Sequence, residues 1–201
     1  VERSVADQLR AIEGRTEIDL FADFAQRLPT QVILDVLGIG HEHFDTVVGV
    51  ADSLIAMHEP TAGHDVVEAA NTAFQRAANL FVEIANQRRR EPGPDVMTSL
   101  VQVADGSDRL TNDELVALVV ILVVAGHETT ANTLCTGVLH LLENPEALEQ
   151  LRNDRSLLPT AVEELLRFDA ATRNSVARYA LRDLEVGGVK IAKGERLFVS
   201  L

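Results

Sequence analysis

The chain has 201 residues, 46% of them hydrophobic and 24% charged, enough for a globular body with one substantial core or two small ones. A formal net charge of −13 and an isoelectric point near 4.8 repel phosphate backbones and anionic lipid, so no nucleic-acid or membrane partner is expected. The sole cysteine, Cys135, excludes an internal disulfide and any multi-cysteine metal cluster, and suits a reducing cytosol.

In chain order, helical periodicity runs from the first residues to about Asp169, with breaks at Gly14, Gly38 to Gly40, Glu59 to Gly63, Glu91 to Pro94 and Ala104 to Asp108. The predicted fold class is therefore mainly α. Pro29 lies inside the apolar pattern from Leu20 to Leu37 and either kinks that helix or delays its start. His41-Glu42-His43 reads as a solvated helix start, because residues two apart on a helix face different ways and make a poor metal site. Arg88-Arg89-Arg90 closes a long helical pattern just before Glu91-Pro92-Gly93 and reads as a charged cap. No repeat or long linker interrupts the chain, so residues 1–201 are expected to form a single domain. The chain starts at Val1 without methionine and stops inside the strand-like run Arg196 to Leu201, so it is expected to be an internal piece of a longer protein.

The helix predicted from about Thr111 to Glu143 carries the chemistry. Thr111-Asn112-Asp113-Glu114 fits a capping box, and nothing breaks the pattern until Asn144-Pro145. Roughly thirty residues at about 1.5 Å each make a helix of about 50 Å. Its longest apolar run, Leu115 to Ala125, is shorter than a bilayer span and reads as a buried helix. With no signal peptide, a cytoplasmic protein is expected. A first half so apolar on all sides requires a larger body around it than this chain supplies.

Midway the character changes to Ala125-Gly126-His127-Glu128-Thr129-Thr130. Glycine lowers helix stability, and polar groups enter a buried stripe. Leu122, Ala125, Gly126, Thr129 and Thr133 recur at intervals of three and four and so share a face. A broad planar ligand fits against the small residues, with Thr129 and Glu128 handling protons beside it. Equally, the glycine could relieve crowding by a neighbouring helix while the threonines bond back to the preceding turn. His127-Glu128 lacks the second histidine of a zinc protease, since Ala131 stands there, and no residue is assigned to a metal.

Downstream, Pro159 opens a helix carrying Glu164-Leu165-Leu166-Arg167. After Asp169 the pattern alternates, and Leu184-Glu185-Val186, Gly187-Gly188 and Val189-Lys190-Ile191 spell a β-hairpin. A long helix with Ala-Gly-x-Glu-Thr-Thr, a short helix from Asn144-Pro145-Glu146, then Glu-x-x-Arg and a Gly-Gly hairpin together resemble the cytochromes P450 of the bacterial soluble type.

The resemblance implies a partial cytochrome P450 fold: a long central helix, with a short β-hairpin region at the C-terminal end. It also implies a haem-dependent monooxygenase that splits dioxygen, puts one oxygen atom into a small hydrophobic substrate and reduces the other to water. Electrons would come from a partner such as a ferredoxin. Ala125 and Gly126 would border the haem, with Thr133 on the same face. Thr129 matches the family's alcohol at the oxygen site and Glu128 the acid before it, so both would relay protons. Glu164 and Arg167 match a bracing pair with a structural role. Arg178, from its distance to Gly187, matches an arginine that meets a haem propionate; the alternative is an exposed strand arginine. The segments from His41 to Met57 and from Gly63 to Arg90 match the pair that roofs the substrate pocket.

One departure is severe. The family's iron ligand is a cysteine after the Glu-x-x-Arg helix, and no cysteine follows Cys135. Cys135 itself reads as a buried small hydrophobe. The activity is therefore expected of the full-length parent, with residues 1–201 inactive alone. The competing readings are a catalytically inactive P450-like scaffold or partner protein, and a helical ligand-binding domain without haem.

Overall fold

The computed structural model describes residues 1–201 apart from 58–60, 106–109, 173, 174, 176 and 201. The described residues are mainly helical, with short antiparallel strand pairs near the C-terminal end, as the periodicity predicts. They divide into two compact units, Val1–Cys135 and Thr136–Leu201.

The first unit holds α1 (Glu2–Ile12), α2 (Arg27–Leu37), α3 (Phe44–Ala56), α4 (His64–Arg90), α5 (Val96–Asp105) and most of α6 (Asn112–Glu143). Pro29 is the third residue of α2, inside the first turn, where a missing N–H costs no intrahelical bond. The late start is therefore the outcome, and one turn of π-helix, Phe21–Ala25, precedes it. His41–His43 form a 3-10 turn leading into α3, the solvated start expected. The expected breaks at Glu59 to Gly63 and Ala104 to Asp108 lie partly outside the described residues. The core gathers the fully buried Leu34 and Leu37 of α2, Val47 and Val50 of α3, Phe81 of α4, Met97 of α5, and Leu115, Val119 and Val123 of α6.

The capping box at the head of α6 is reciprocal. The Thr111 N–H donates to Glu114 Oε2 at 2.8 Å, and the Glu114 N–H donates to Thr111 Oγ1 at 3.2 Å. These bonds from the Thr111 backbone and hydroxyl hold the Glu114 carboxyl below its usual range.

The arginine run does more than cap α4, which corrects the reading from sequence. Arg88 donates from Nε to Asp95 Oδ2 at 2.6 Å and from Nη2 to the Gly38 carbonyl at 2.7 Å. Arg89 reaches Asp105 and, at 3.1 Å, Asn112 Oδ1 at the start of α6. The C-terminus of α4 is thus tied to the C-cap of α2 and to both ends of α5. Burial pushes the Asp95 carboxyl up, but hydrogen bonds from the Thr98 N–H and hydroxyl and from Arg88 outweigh it and hold the group below its usual range. The latch needs glycine at 38: its φ is +69°, and a Cβ there would collide with the Asp95 carboxylate. Gly38→Ala should therefore lower stability by about 3 kcal/mol in urea denaturation, combining left-handed strain with a disturbed, mostly buried ion pair. Gly14→Ala, at φ +76° with nothing within 4 Å, should lose only the strain, about 1 kcal/mol. Equal losses at the two sites would show that the latch adds nothing.

The second unit holds the end of α6, α7 (Pro145–Asn153), α8 (Leu158–Phe168) and, among the described residues, four short strands. A Cβ on buried Gly137 would meet Leu165 Cδ1 at 3.4 Å, so the glycine lets α8 lie close against α6. His140 bonds Asp169 Oδ2 at 3.0 Å and meets the Phe168 ring edge-on at 5.0 Å. The predicted hairpin is present as β2 (Leu184–Val186) and β3 (Val189–Ile191), with Leu184 paired to Ile191. Gly187 and Gly188, at φ +56° and +81°, supply the two positive-φ positions that a two-residue turn of this twist demands. The strand-like run from Arg196 is present as β4 (Arg196–Leu197), and the sequence did not announce its partner, β1 (Arg178–Tyr179).

Candidate functional site

The long helix has two different sides along its first unit. Leu115, Val116, Val119, Val120, Val123, His127 and Ala131 are buried, at the three- and four-residue steps of one face. On the other side Ile121 is 62% exposed and Leu122 38%, with Leu118 beside them and Ala125 and Thr129 exposed further along. An exposed aliphatic face that narrows to an alanine and then a hydroxyl meets the expectation that this helix requires more cover than the chain supplies. Among the described residues α6 is also long and apolar enough to cross a membrane, by length and composition alone. Its buried face in the core of the first unit gives that apolarity a different cause.

Leu122, Ala125 and Thr129 lie together on the exposed side. Gly126 sits at its edge, half-buried, where a Cβ would stand 3.7 Å from Ile33 Cδ1, an ordinary contact. The fold therefore has room for alanine here, and crowding by α2 does not explain a glycine that costs about 1 kcal/mol in a helix interior. Thr129 donates its hydroxyl proton to the Ala125 carbonyl at 2.7 Å, and Thr133 donates to the Thr129 carbonyl at 2.8 Å. The back-bonding alternative is thus realised, and for Thr129 to hand its proton elsewhere the side chain must rotate off that carbonyl. Glu128 is half-buried beside it.

The remaining candidates belong to the second unit. Arg167 grips Glu164 with two parallel bonds of 2.7 Å, Nε to Oε2 and Nη2 to Oε1. This pairing pulls the carboxyl below its usual range, the hydrogen bonds being the larger cause. Both side chains are mostly exposed, so the pair adds little stability by itself. Arg178 is exposed on β1.

Sequence reasoning missed His127. The residue is buried, 2% exposed; Nδ1 lies 2.7 Å from Thr30 Oγ1 on α2, and Nε2 lies 3.3 Å from Asp52 Oδ1 on α3. Its place at four-residue steps from Val123 and Ala131 marked it as buried. Its partners, 97 and 75 residues away along the chain, left no local signal.

Comparison with known proteins identifies the family. The family model for cytochrome P450 matches residues 42–201, and this chain belongs to the cytochrome P450 family. Cytochrome P450 107B1 of Saccharopolyspora erythraea is 37% identical over 201 residues, covering 100% of this chain and 48% of that protein. Nocardicin C N-oxygenase of Nocardia uniformis is 40% identical over 183 residues, covering 90% and 44%. In three dimensions, P450BioI, solved in complex with an acyl carrier protein ligated to hexadec-9Z-enoic acid, superposes with a TM-score of 0.91 at 33% identity, covering 99% of this chain and 51% of that one. The chain thus spans about half the length of the curated relatives it matches. Proteins of this family use haem, and the exposed apolar side of α6 fits such a group: exposed aliphatic side chains, a small-residue stretch without bulk, and a hydroxyl at its end.

Proposed function

We propose that the full-length protein is a haem-dependent monooxygenase acting on a small hydrophobic substrate, and that α6 supplies its oxygen-side wall. The observation that carries this reading is the uncovered aliphatic face of α6 ending at Ala125 and Thr129, in a chain of this family. Bound there, haem supplies the capacity to activate dioxygen with electrons from a donor such as a ferredoxin.

The chain's own residues have narrower tasks. Leu122, Ala125 and Gly126 give the cofactor a dry, flat border, with Thr133 on the flank. Thr129 turns off the Ala125 carbonyl and donates its hydroxyl proton towards the reacting oxygen, and the Glu128 carboxyl replenishes that proton. Arg178 pairs with a haem propionate, a geometry a guanidinium suits. Glu164 and Arg167 brace the segment after α8. α3 and α4 roof the substrate pocket. The iron ligand comes from outside residues 1–201, which are inactive alone. The bacterial relatives support a cytoplasmic setting.

The test is isotopic. Given heavy-oxygen-labelled dioxygen, the full-length protein should place one labelled atom in product and one in water for each substrate consumed. No oxygenated product, or no haem uptake at all, would leave an inactive scaffold as the better account.

A further inference from the structure

His127 is a buried polar residue that the proposed chemistry does not use. The imidazole sits on the packed side of α6, next to Glu128 in sequence but turned away from the exposed face. A carboxylate can only accept, so the contact with Asp52 requires the proton on Nε2. The Thr30 hydroxyl stands 2.7 Å from Nδ1 and 2.8 Å from the Gln26 carbonyl, and its single proton serves one of the two. Carboxylate, imidazole and hydroxyl in this order also make a hydrolytic triad. Thr30 is fully buried, however, so no substrate reaches its hydroxyl and the constellation is not a second active site.

What the three residues do is join three helices. Thr30 belongs to α2, Asp52 to α3 and His127 to α6. Asp52 is 53% exposed on its side chain and His127 3%, so the link runs from the surface to the polar stretch of α6. Leaving a buried imidazole without partners costs more than the bonds themselves gain, which makes the position of α3 against α6 specific.

We propose that His127 is a positioning residue that clamps α3 to α6, so that a substrate held under α3 is registered against Glu128 and Thr129. The inference deepens the proposed monooxygenase reading and rests on it for the substrate and the proton donors. The clamp itself stands on the geometry alone.

The experiment uses the full-length, haem-loaded protein and two readouts: amide hydrogen exchange in α3, with α5 as internal reference, and product formed per reduced nicotinamide. His127→Asn keeps a polar atom near Thr30 but falls short of Asp52; His127→Gln reaches Asp52; Asp52→Ala removes the far partner. His127→Asn and Asp52→Ala should each speed α3 exchange about tenfold, leave α5 unchanged and lower product per nicotinamide, and the double variant should be no worse than either. His127→Gln should recover most of both readouts. Unchanged α3 exchange, additive effects, or α3 and α5 loosening together would overturn the clamp. Faster α3 exchange with unaltered coupling, in a protein that Thr129→Ala does uncouple, would overturn the positioning role. If Thr129→Ala proves fully coupled, the proton-donor role of Thr129 is what fails, and absence of product from the unsubstituted protein is what would overturn the monooxygenase reading; in either case the exchange pattern still decides the clamp.

Discussion

Replacing Thr129 by alanine in the full-length protein should leave haem content and substrate affinity intact and sharply lower the product formed per reduced nicotinamide. Its hydroxyl stands on the exposed side of α6, one turn beyond Ala125, where a ligand on the exposed aliphatic side chains would end. Removing one positioned proton donor typically slows the assisted step about a hundredfold or more. Electrons that no longer reach product should appear as hydrogen peroxide or water, so peroxide is counted alongside. Glu128→Gln should act in the same direction, because an amide cannot replenish the proton. Thr129→Ser, which keeps the hydroxyl, should retain most of the coupling. The hydrogen bond to the Ala125 carbonyl frames the opposite expectation. A hydroxyl serving only its own helix can be lost with a small change in stability and no change in product per electron. Full coupling in both Thr129→Ala and Glu128→Gln would remove these residues from the chemistry and leave only the family resemblance behind their assignment.

The features legible in the sequence were those that local physics specifies. The start of α6 was readable because a capping box binds residues three apart, and its bonds are present between Thr111 and Glu114. The β2–β3 hairpin was readable because two adjacent glycines answer a turn that needs positive φ twice. The excess apolarity of α6 was readable as a helix needing more cover, and its exposed side chains carry that excess.

What escaped were partnerships across the fold. Arg88 looks like any cationic helix end until Asp95 and the Gly38 carbonyl are brought to it. His127 looks like a failed metal motif until Thr30 and Asp52 meet its two nitrogens. The β1–β4 pair joins strands of two residues each, and although the run from Arg196 reads as strand-like, nothing local in it points to Arg178 and Tyr179. Back-bonding by Thr129 and Thr133 was foreseeable as an alternative but not decidable, since a threonine in a helix can serve either use.

Haem supplied to residues 1–201 should give no trace of the carbon-monoxide absorbance band that names the family, because that band requires a thiolate on the iron. The one cysteine is unsuited to the task on two counts. Burial raises the Cys135 thiol above its usual range, and the nearby Asp19 charge raises it further, which works against the thiolate that a ligand must present. Its position is also wrong: at about 100° per residue, Cys135 projects well away from the side of α6 that carries Leu122, Ala125 and Thr129. In the full-length protein, Cys135→Ser should accordingly leave the band at full height, since hydroxyl for thiol at a half-buried helix position alters packing only slightly. A band from residues 1–201 that Cys135→Ser abolishes would make Cys135 the ligand and move the cofactor to another side of α6. Loss of the band from the full-length protein on the same substitution, with haem still bound, would equally make Cys135 the thiolate on the iron.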